Sequence, residues 1–248
     1  MNTVNDSLRG TGRRTATLVG AAFLFSNVTF ILGAIVLVEA ILGAPDYLSL
    51  IAAGRAQVAL GVLLSFANGL AYVGIAALLF PILRRRFASL ALAYVGFRVV
   101  EFITQIMADV SPLALLTLAG DGGRAGAAAA DLPALGALLL AARFWAFQML
   151  NLIFSFSAVL LSIMLFRTRL VPGFIAIWGL IAAALVLINT VLGWFMPDLG
   201  AALGMITGLP MLLNELFLGV WLIVKGFKPS VSASRSGKTE TNELLSAA

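Results

Sequence analysis

Six apolar runs, each of about 20 residues or more, constrain this chain more than any other feature of its sequence. We number them spans one to six: Leu18–Leu42, Val58–Leu83, Ser89–Asp109, Ala141–Phe166, Phe174–Phe195 and Leu203–Val224. Such a run crosses the hydrocarbon core of a bilayer as a helix, because a helix satisfies its own backbone hydrogen bonds there. The sequence therefore predicts an all-α bundle of six transmembrane helices within residues 15–228, with residues 1–14 and 229–248 outside it.

The basic residues predict how the bundle is oriented. Of the 16 Lys and Arg residues, twelve fall on the side of the two termini and two, Arg55 and Arg124, on the other side. Cytoplasmic loops carry such an excess, so both termini are expected in the cytoplasm. The net charge of +5 then reflects topology and an attraction to anionic lipid headgroups. Membrane lipids are the expected partners, and nucleic acid is not.

Four segments outside the spans carry their own predictions. Pro45–Gln57 is expected to form a short interfacial helix anchored at the headgroups by Tyr47. The Ser, Pro, Gly and Asp residues of Val110–Leu132 are typical of a loop with a helical turn or two. Pro133 suits the first turn of a helix that continues into span four. The polar tail Pro229–Ala248 has too few apolar groups to form a core and is expected to be disordered in the cytoplasm.

Two residue types are absent, and their absence excludes whole classes of chemistry. Without His or Cys the chain has no imidazole ligand for haem, no Cys or His zinc site, no iron–sulfur cluster and no thiol nucleophile. None of its 24 glycines belongs to a nucleotide-binding pattern after a strand. We therefore expect no catalytic residue, no metal site and no cofactor, and do not expect an enzyme.

Five ionisable residues lie inside the spans, where a charge is costly and normally faces the bundle interior. They are Glu39, Arg98, Glu101, Arg143 and Glu215. In span three, Tyr94, Arg98, Glu101 and Gln105 are spaced four, three and four residues apart. This spacing places them on one stripe of the helix, and the stripe is predicted to face inward.

Depth, counted at about 1.5 Å per residue from the terminus side, groups these residues into two levels. Arg98 and Glu215 come out about 14 Å deep and Glu101 about 18 Å, which predicts a buried ion pair between Arg98 and Glu215. Glu39 and Arg143 come out at about 32 and 34 Å and are predicted to form a second, outer pair.

Polar residues of spans four and six extend the deeper level into a mid-membrane layer. Span four contributes one face, and span six places an amide beside its carboxylate, one turn after a proline. The predicted members of the layer are Tyr94, Arg98, Glu101, Gln105, Gln148, Asn151, Asn214 and Glu215. Such a layer either binds a solute, lipid headgroup or proton in a polar cavity, or serves as interhelical glue at about 0.6 kcal/mol per hydrogen bond. Both interpretations remain open.

Small residues at four-residue spacing predict close helix packing. One set is Gly61, Ser65 and Gly69, and the other is Gly204 and Gly208. We expect internal contacts at both, with a dimer face as the alternative.

Three stretches are similar to a known family: Phe97–Phe102, Arg169–Leu180 and, most specifically, Leu209–Phe227. Together they resemble the bacterial membrane family catalogued as domain of unknown function 4386, over nearly all of residues 13–228. The chain departs from the family pattern at Gly173, where a basic residue is usual, and at Asn214. The resemblance implies a six-helix protein of a bacterial inner (plasma) membrane and supplies no activity.

Three functions are therefore compared. The first is a small solute-binding or transport bundle lined by Arg98, Glu101 and Glu215, favoured by charges beside the Pro-broken span six. The second is an accessory, sensory or assembly subunit, as a homo-oligomer or with another membrane protein, whose layer only fixes helix register. The third is a lipid-modifying enzyme with Glu101 or Glu215 as general base, and it lacks a nucleophile or metal set.

Overall fold

Helices make up the described chain apart from short turns. The computed structural model describes residues 2–121 and 131–228. In chain order its elements are α1 (Asn2–Phe30), a π-helix (Ile31–Glu39), α2 (Ala40–Leu42), α3 (Tyr47–Ala53), α4 (Arg55–Asp121), α5 (Leu132–Thr168), α6 (Gly173–Phe195) and α7 (Pro197–Val224). No strand occurs in these two ranges, so the all-α prediction is confirmed. The predicted disordered tail, residues 229–248, lies outside the described residues.

The helices account for six crossings of a membrane. Five helical stretches of the described chain are long and apolar enough to span one, and the longest has 66 residues. That stretch, in α4, leaves helical geometry at Phe87 (φ −139°, ψ 65°), between spans two and three. Large apolar side chains such as Leu63 and Met205 are exposed on the outside of the bundle, as lipid contact requires. The predicted six-helix membrane bundle is confirmed.

An apolar cluster fills the end of the bundle that holds both termini. This terminus-side cluster includes Val19, Phe23, Leu79, Leu83, Ala91, Met164, Leu165, Ile175 and Leu222. At the same end the Arg13 guanidinium donates to the carbonyls of Ile223 (3.0 Å) and Val224 (3.1 Å), which α7 leaves unpaired. The start of span one and the end of span six therefore lie at the same end of the bundle, as an even number of spans requires.

A second apolar cluster lies on the opposite side, around α3. This far-side cluster consists of Val38, Ile41, Leu42, Ile51, Val58, Leu115 and Leu116. Helix α3 contributes Ile51 to it, so the short helix predicted between spans one and two exists. Its Tyr47 packs against Gly136 of α5, where a Cβ would collide with the tyrosine hydroxyl.

The loop predicted over Val110–Leu132 is wrong for its first half, because α4 continues to Asp121. Pro112 lies inside this helix and offers no N–H to the carbonyl of Ala108, four residues earlier. The Arg143 guanidinium of α5 donates to that carbonyl at 3.3 Å instead. A side chain from a distant part of the sequence thus supplies the hydrogen bond that the proline removes.

The two sets of small residues behave differently. A Cβ on Gly61 would lie 2.9 Å from the carbonyl of Gly33 in the π-helix, and a Cβ on Gly69 would collide with the Phe102 ring. These are the internal contacts that the spacing predicted. The prediction is wrong for Gly204 and Gly208, because among the described residues no atom of a neighbouring element lies within 4 Å of where a Cβ would be.

Candidate functional site

The polar stripe of span three faces the interior, as its spacing predicted. Tyr94, Arg98, Glu101 and Gln105 are each less than 9% exposed, and so is Asp109, one turn further along α4. Each turn of the helix advances about 5.4 Å, so the stripe extends as a polar column from mid-bundle to the far side. The terminus-side cluster closes the other half of the bundle with apolar side chains.

Arg98 is the centre of the deeper level. Its Nη1 donates to both carboxylate oxygens of Glu101, at 2.9 and 3.1 Å, and its Nε donates to the Tyr94 hydroxyl at 3.3 Å. The guanidinium carbon also lies 4.7 Å from the ring centroid of Tyr72 and 5.5 Å from that of Phe154. Carboxylate and aromatic faces together compensate a cation that is completely buried.

The predicted ion pair between Arg98 and Glu215 is wrong, because Arg98 pairs with Glu101 instead. The Glu215 carboxylate accepts a hydrogen bond at 3.2 Å from the side-chain amide of Asn27 in α1. Glu101 is three residues from Arg98 on the same helix, so their pairing needs no alignment between separate helices. Arg98 remains within Coulombic range of Glu215.

Helix α5 and the first half of α4 complete this level. The Ser157 hydroxyl of α5 donates to Glu101 at 3.2 Å, and the side chain of Asn68 lies beside Tyr72. We call the whole set the central cluster: Asn27, Asn68, Tyr72, Tyr94, Arg98, Glu101, Phe154, Ser157 and Glu215. It joins α1, both halves of α4, α5 and α7.

Three polar atoms of the central cluster are buried without a hydrogen-bond partner among the described residues. They are one donor, Arg98 Nη2, and two acceptors, Glu215 Oε1 and Asn68 Oδ1. Most buried polar atoms in proteins are hydrogen-bonded, and an unpaired charged group costs several kcal/mol. The arrangement is suited to a small polar group that accepts from the guanidinium and donates to the carboxylate.

The predicted outer pair is confirmed. Arg143 Nη2 lies 3.3 Å from Glu39 Oε1, with the Arg143 side chain 4% exposed and that of Glu39 51% exposed. Arg143 Nη1 also lies 3.7 Å from Asp109 Oδ1. Arg143 is therefore a buried cation between two carboxylates, rather than a side chain extended toward the membrane surface.

Gln105 belongs to this outer level. Its amide nitrogen donates at 2.7 Å to both the carbonyl and the hydroxyl of Ser65. That hydroxyl lies 2.6 Å from Asp109 Oδ2. We call Glu39, Ser65, Gln105, Asp109 and Arg143 the far-side network.

The remaining predicted layer residues have their observed contacts elsewhere. Asn214 donates to the carbonyl of Ile175 in α6 at 3.0 Å. Gln148 is partly buried, and its amide lies close to Gly193, also in α6. Asn151 is partly buried, and its backbone carbonyl accepts from the hydroxyl of Ser155. The contacts of Asn214 and Gln148 thus tie α5 and α7 to α6.

Depth would have identified several residues of the central cluster and the far-side network that were not among the predicted site residues. Asn27 and Ser157 both come out about 14 Å from the terminus side, level with Arg98 and Glu215. Asp109, the last residue of span three, is level with Ser65 to within about 3 Å. Tyr72 comes out about 17 Å deep by the same count, between Arg98 and Glu101.

Within the described ranges no group of three or more acidic side chains is arranged to hold a metal ion. The central cluster offers hydrogen bonds, two carboxylates and one guanidinium, so binding and proton exchange are the chemistry within its reach.

Comparison with known proteins gives a family and nothing finer. No curated protein and no solved structure matches the chain. Residues 18–226 match the family model described as "Domain of unknown function (DUF4386)", and the chain belongs to that family.

Proposed function

We propose that the protein is a small solute-binding or transport bundle whose central cluster holds a polar solute in mid-membrane. One observation carries this proposal. Arg98 Nη2, a donor, and Glu215 Oε1, an acceptor, are both buried and unpartnered among the described residues. Glue between helices would be expected to pair both atoms.

The two atoms define the chemistry of the solute. Arg98 Nη2 requires an acceptor such as a carboxylate, and Glu215 Oε1 requires a donor such as an ammonium group. The rings of Tyr72, Tyr94 and Phe154 around the guanidinium limit the space beside it. A small zwitterion fits this combination best.

The far-side network supports a route to the central cluster. Its polar groups begin at the half-exposed Glu39 and continue along span three through Asp109 and Gln105. The apolar terminus-side cluster offers no such groups. The proposal therefore includes entry from the far side. In a bacterial inner membrane this side would face away from the cytoplasm.

The second candidate is an accessory or assembly subunit in which the polar groups only fix helix register. It is favoured by the hydrogen bonds between helices that Asn27, Ser157 and Asn214 make. Under this candidate the open face at Gly204 and Gly208 would receive a second copy or another membrane protein.

A binding panel separates the two candidates. The full chain in lipid nanodiscs is titrated with glycine, ethanolamine, acetate and glycerol, and its melting temperature is followed. A saturable rise with glycine that exceeds the rise with the other three supports the proposal. At one hundred times the dissociation constant the stabilisation is about 2.7 kcal/mol.

Matched variants locate the response. Glu215→Gln should abolish it, whereas Glu39→Gln, a carboxylate of the far-side network, should retain it. No response of the wild type to any of the four solutes would favour the accessory subunit.

A further inference from the structure

Glu215 is the charge that the central cluster leaves uncompensated. Arg98 contributes one positive charge and engages both oxygens of Glu101. Glu215 receives one hydrogen bond, from the neutral amide of Asn27. If both carboxylates are ionised, the cluster carries a net charge of −1 in a low-dielectric interior, where an ion without close compensation is strongly unfavourable.

No group on the helices packed around Glu215, among the described residues, compensates this net charge. Helix α1 contributes the neutral Asn27, and α4 contributes Arg98, Glu101 and the phenols of Tyr72 and Tyr94. Helix α6 contains no ionisable residue, and α5 contributes the hydroxyl of Ser157 to Glu101. The only cation among these groups is Arg98, which is committed to Glu101.

A single proton on Glu215 removes this net charge. On Glu215 Oε1 it converts an acceptor without a donor into a hydroxyl donor, and the cluster becomes neutral. Asn68 Oδ1 is the other acceptor in the cluster without a partner among the described residues. The Asn68 side chain lies beside Tyr72, and Tyr72 is within Coulombic range of Glu215.

We infer that Glu215 carries a proton in the solute-free protein and releases it when a solute's ammonium group binds in its place. The exchange is balanced: the carboxylic acid and the ammonium ion give a carboxylate–ammonium ion pair and one proton, which passes to water. The release step rests on the proposed function. The protonation itself does not, and it is measured without any solute.

The test is infrared difference spectroscopy of the full chain in lipid vesicles at neutral pH, in H₂O and in D₂O. The wild type should show the carbonyl stretch of an un-ionised carboxylic acid, with the isotope shift of an exchangeable proton. Glu215→Gln should lose this band, and Glu101→Gln, the matched change at the paired carboxylate, should retain it. Absence of the band from the wild type, or its loss only in Glu101→Gln, would overturn the inference.

Two further arms keep the test decisive if Glu215→Gln fails to fold. Asn27→Leu removes the amide that donates to Glu215 Oε2 and should shift the band to higher frequency, while an unchanged band would place the acid on another residue and overturn the inference. Replacing choline chloride by sodium chloride at constant pH should leave the band in place. Its loss in sodium would mean that the site takes Na⁺, which also overturns the inference.

If the carboxylic acid band is present but the protein does not respond to the solute panel, the proposed function and the release step are wrong. The protonation of Glu215 would still stand. If the band is absent but the protein responds to glycine, solute binding would stand and proton exchange would be wrong.

Discussion

Replacing Arg98 by methionine should destabilise the protein sharply, and neutralising Glu101 should restore much of the loss. Methionine keeps most of the apolar length of the side chain but removes the charge. Glu101, which is 1% exposed, would then retain only its hydrogen bond from Ser157. Removing one member of a buried ion pair costs about 3 to 5 kcal/mol, because the other charge is stranded.

The size of the rescue identifies the true partner. Residues in direct contact show coupling energies of about 2 to 3 kcal/mol at the upper end of the usual range. We expect this coupling between Arg98→Met and Glu101→Gln, whose atoms lie 2.9 Å apart. Between Arg98→Met and Glu215→Gln we expect a clearly smaller coupling, because the guanidinium is paired with Glu101.

The assay is unfolding in mixed detergent–SDS micelles, followed by the fluorescence of the four tryptophans. The control is Arg85→Met, which removes an exposed arginine in the turn between spans two and three and should cost little. A loss below about 1 kcal/mol for Arg98→Met would refute the reasoning. So would a rescue by Glu215→Gln that equals or exceeds the rescue by Glu101→Gln.

Two pairs of substitutions and one fusion test the rest of the fold and its orientation. Arg143→Leu should cost about 3 kcal/mol or more, since it strands the buried Asp109, while Glu39→Gln should cost under about 1 kcal/mol because Glu39 is half-exposed; the same unfolding assay compares them. Gly20→Val should cost about 1 to 3 kcal/mol, because a Cβ there would lie 2.5 Å from a carbonyl of α7, whereas Gly208→Val meets open space and should unfold like wild type. A reporter enzyme that is active only outside the cytoplasm should stay inactive when fused after Lys228, and strong activity would reverse the predicted orientation.

Periodicity and depth predicted the levels of the polar groups well. The four-three-four spacing in span three fixed one buried stripe, and the shared depth of Glu39 and Arg143 led to an ion pair that the structure contains. Both predictions succeed because a helix has a fixed rise and a fixed number of residues per turn. Neither property needs knowledge of how helices are arranged around the bundle axis.

That arrangement is what the sequence leaves open. Equal depth placed Glu215 level with Arg98 but could not say which residue the guanidinium faces, and the neighbour one turn away on the same helix became its partner. The helix through Pro112 was missed for a related reason. From local sequence alone, a proline predicts that the helix breaks. The donor that replaces its missing N–H here, Arg143, is 31 positions away along the chain.

The central claim is that solvent and solute reach the central cluster. The chain has no cysteine, so no native thiol has to be removed first. The single substitution Ser157→Cys then places one thiol beside Glu101. Only a thiolate reached by water reacts with a small methanethiosulfonate reagent. Ser49→Cys, at an exposed position, and Ala182→Cys, at a completely buried apolar one, provide the limits.

The measurement is the labelling rate of Ser157→Cys in intact membranes, with and without saturating glycine. The account predicts labelling well above that of Ala182→Cys, and slower labelling when glycine is present. A rate as low as that of Ala182→Cys, unchanged by glycine, would contradict it and show that the polar groups are a dry structural layer.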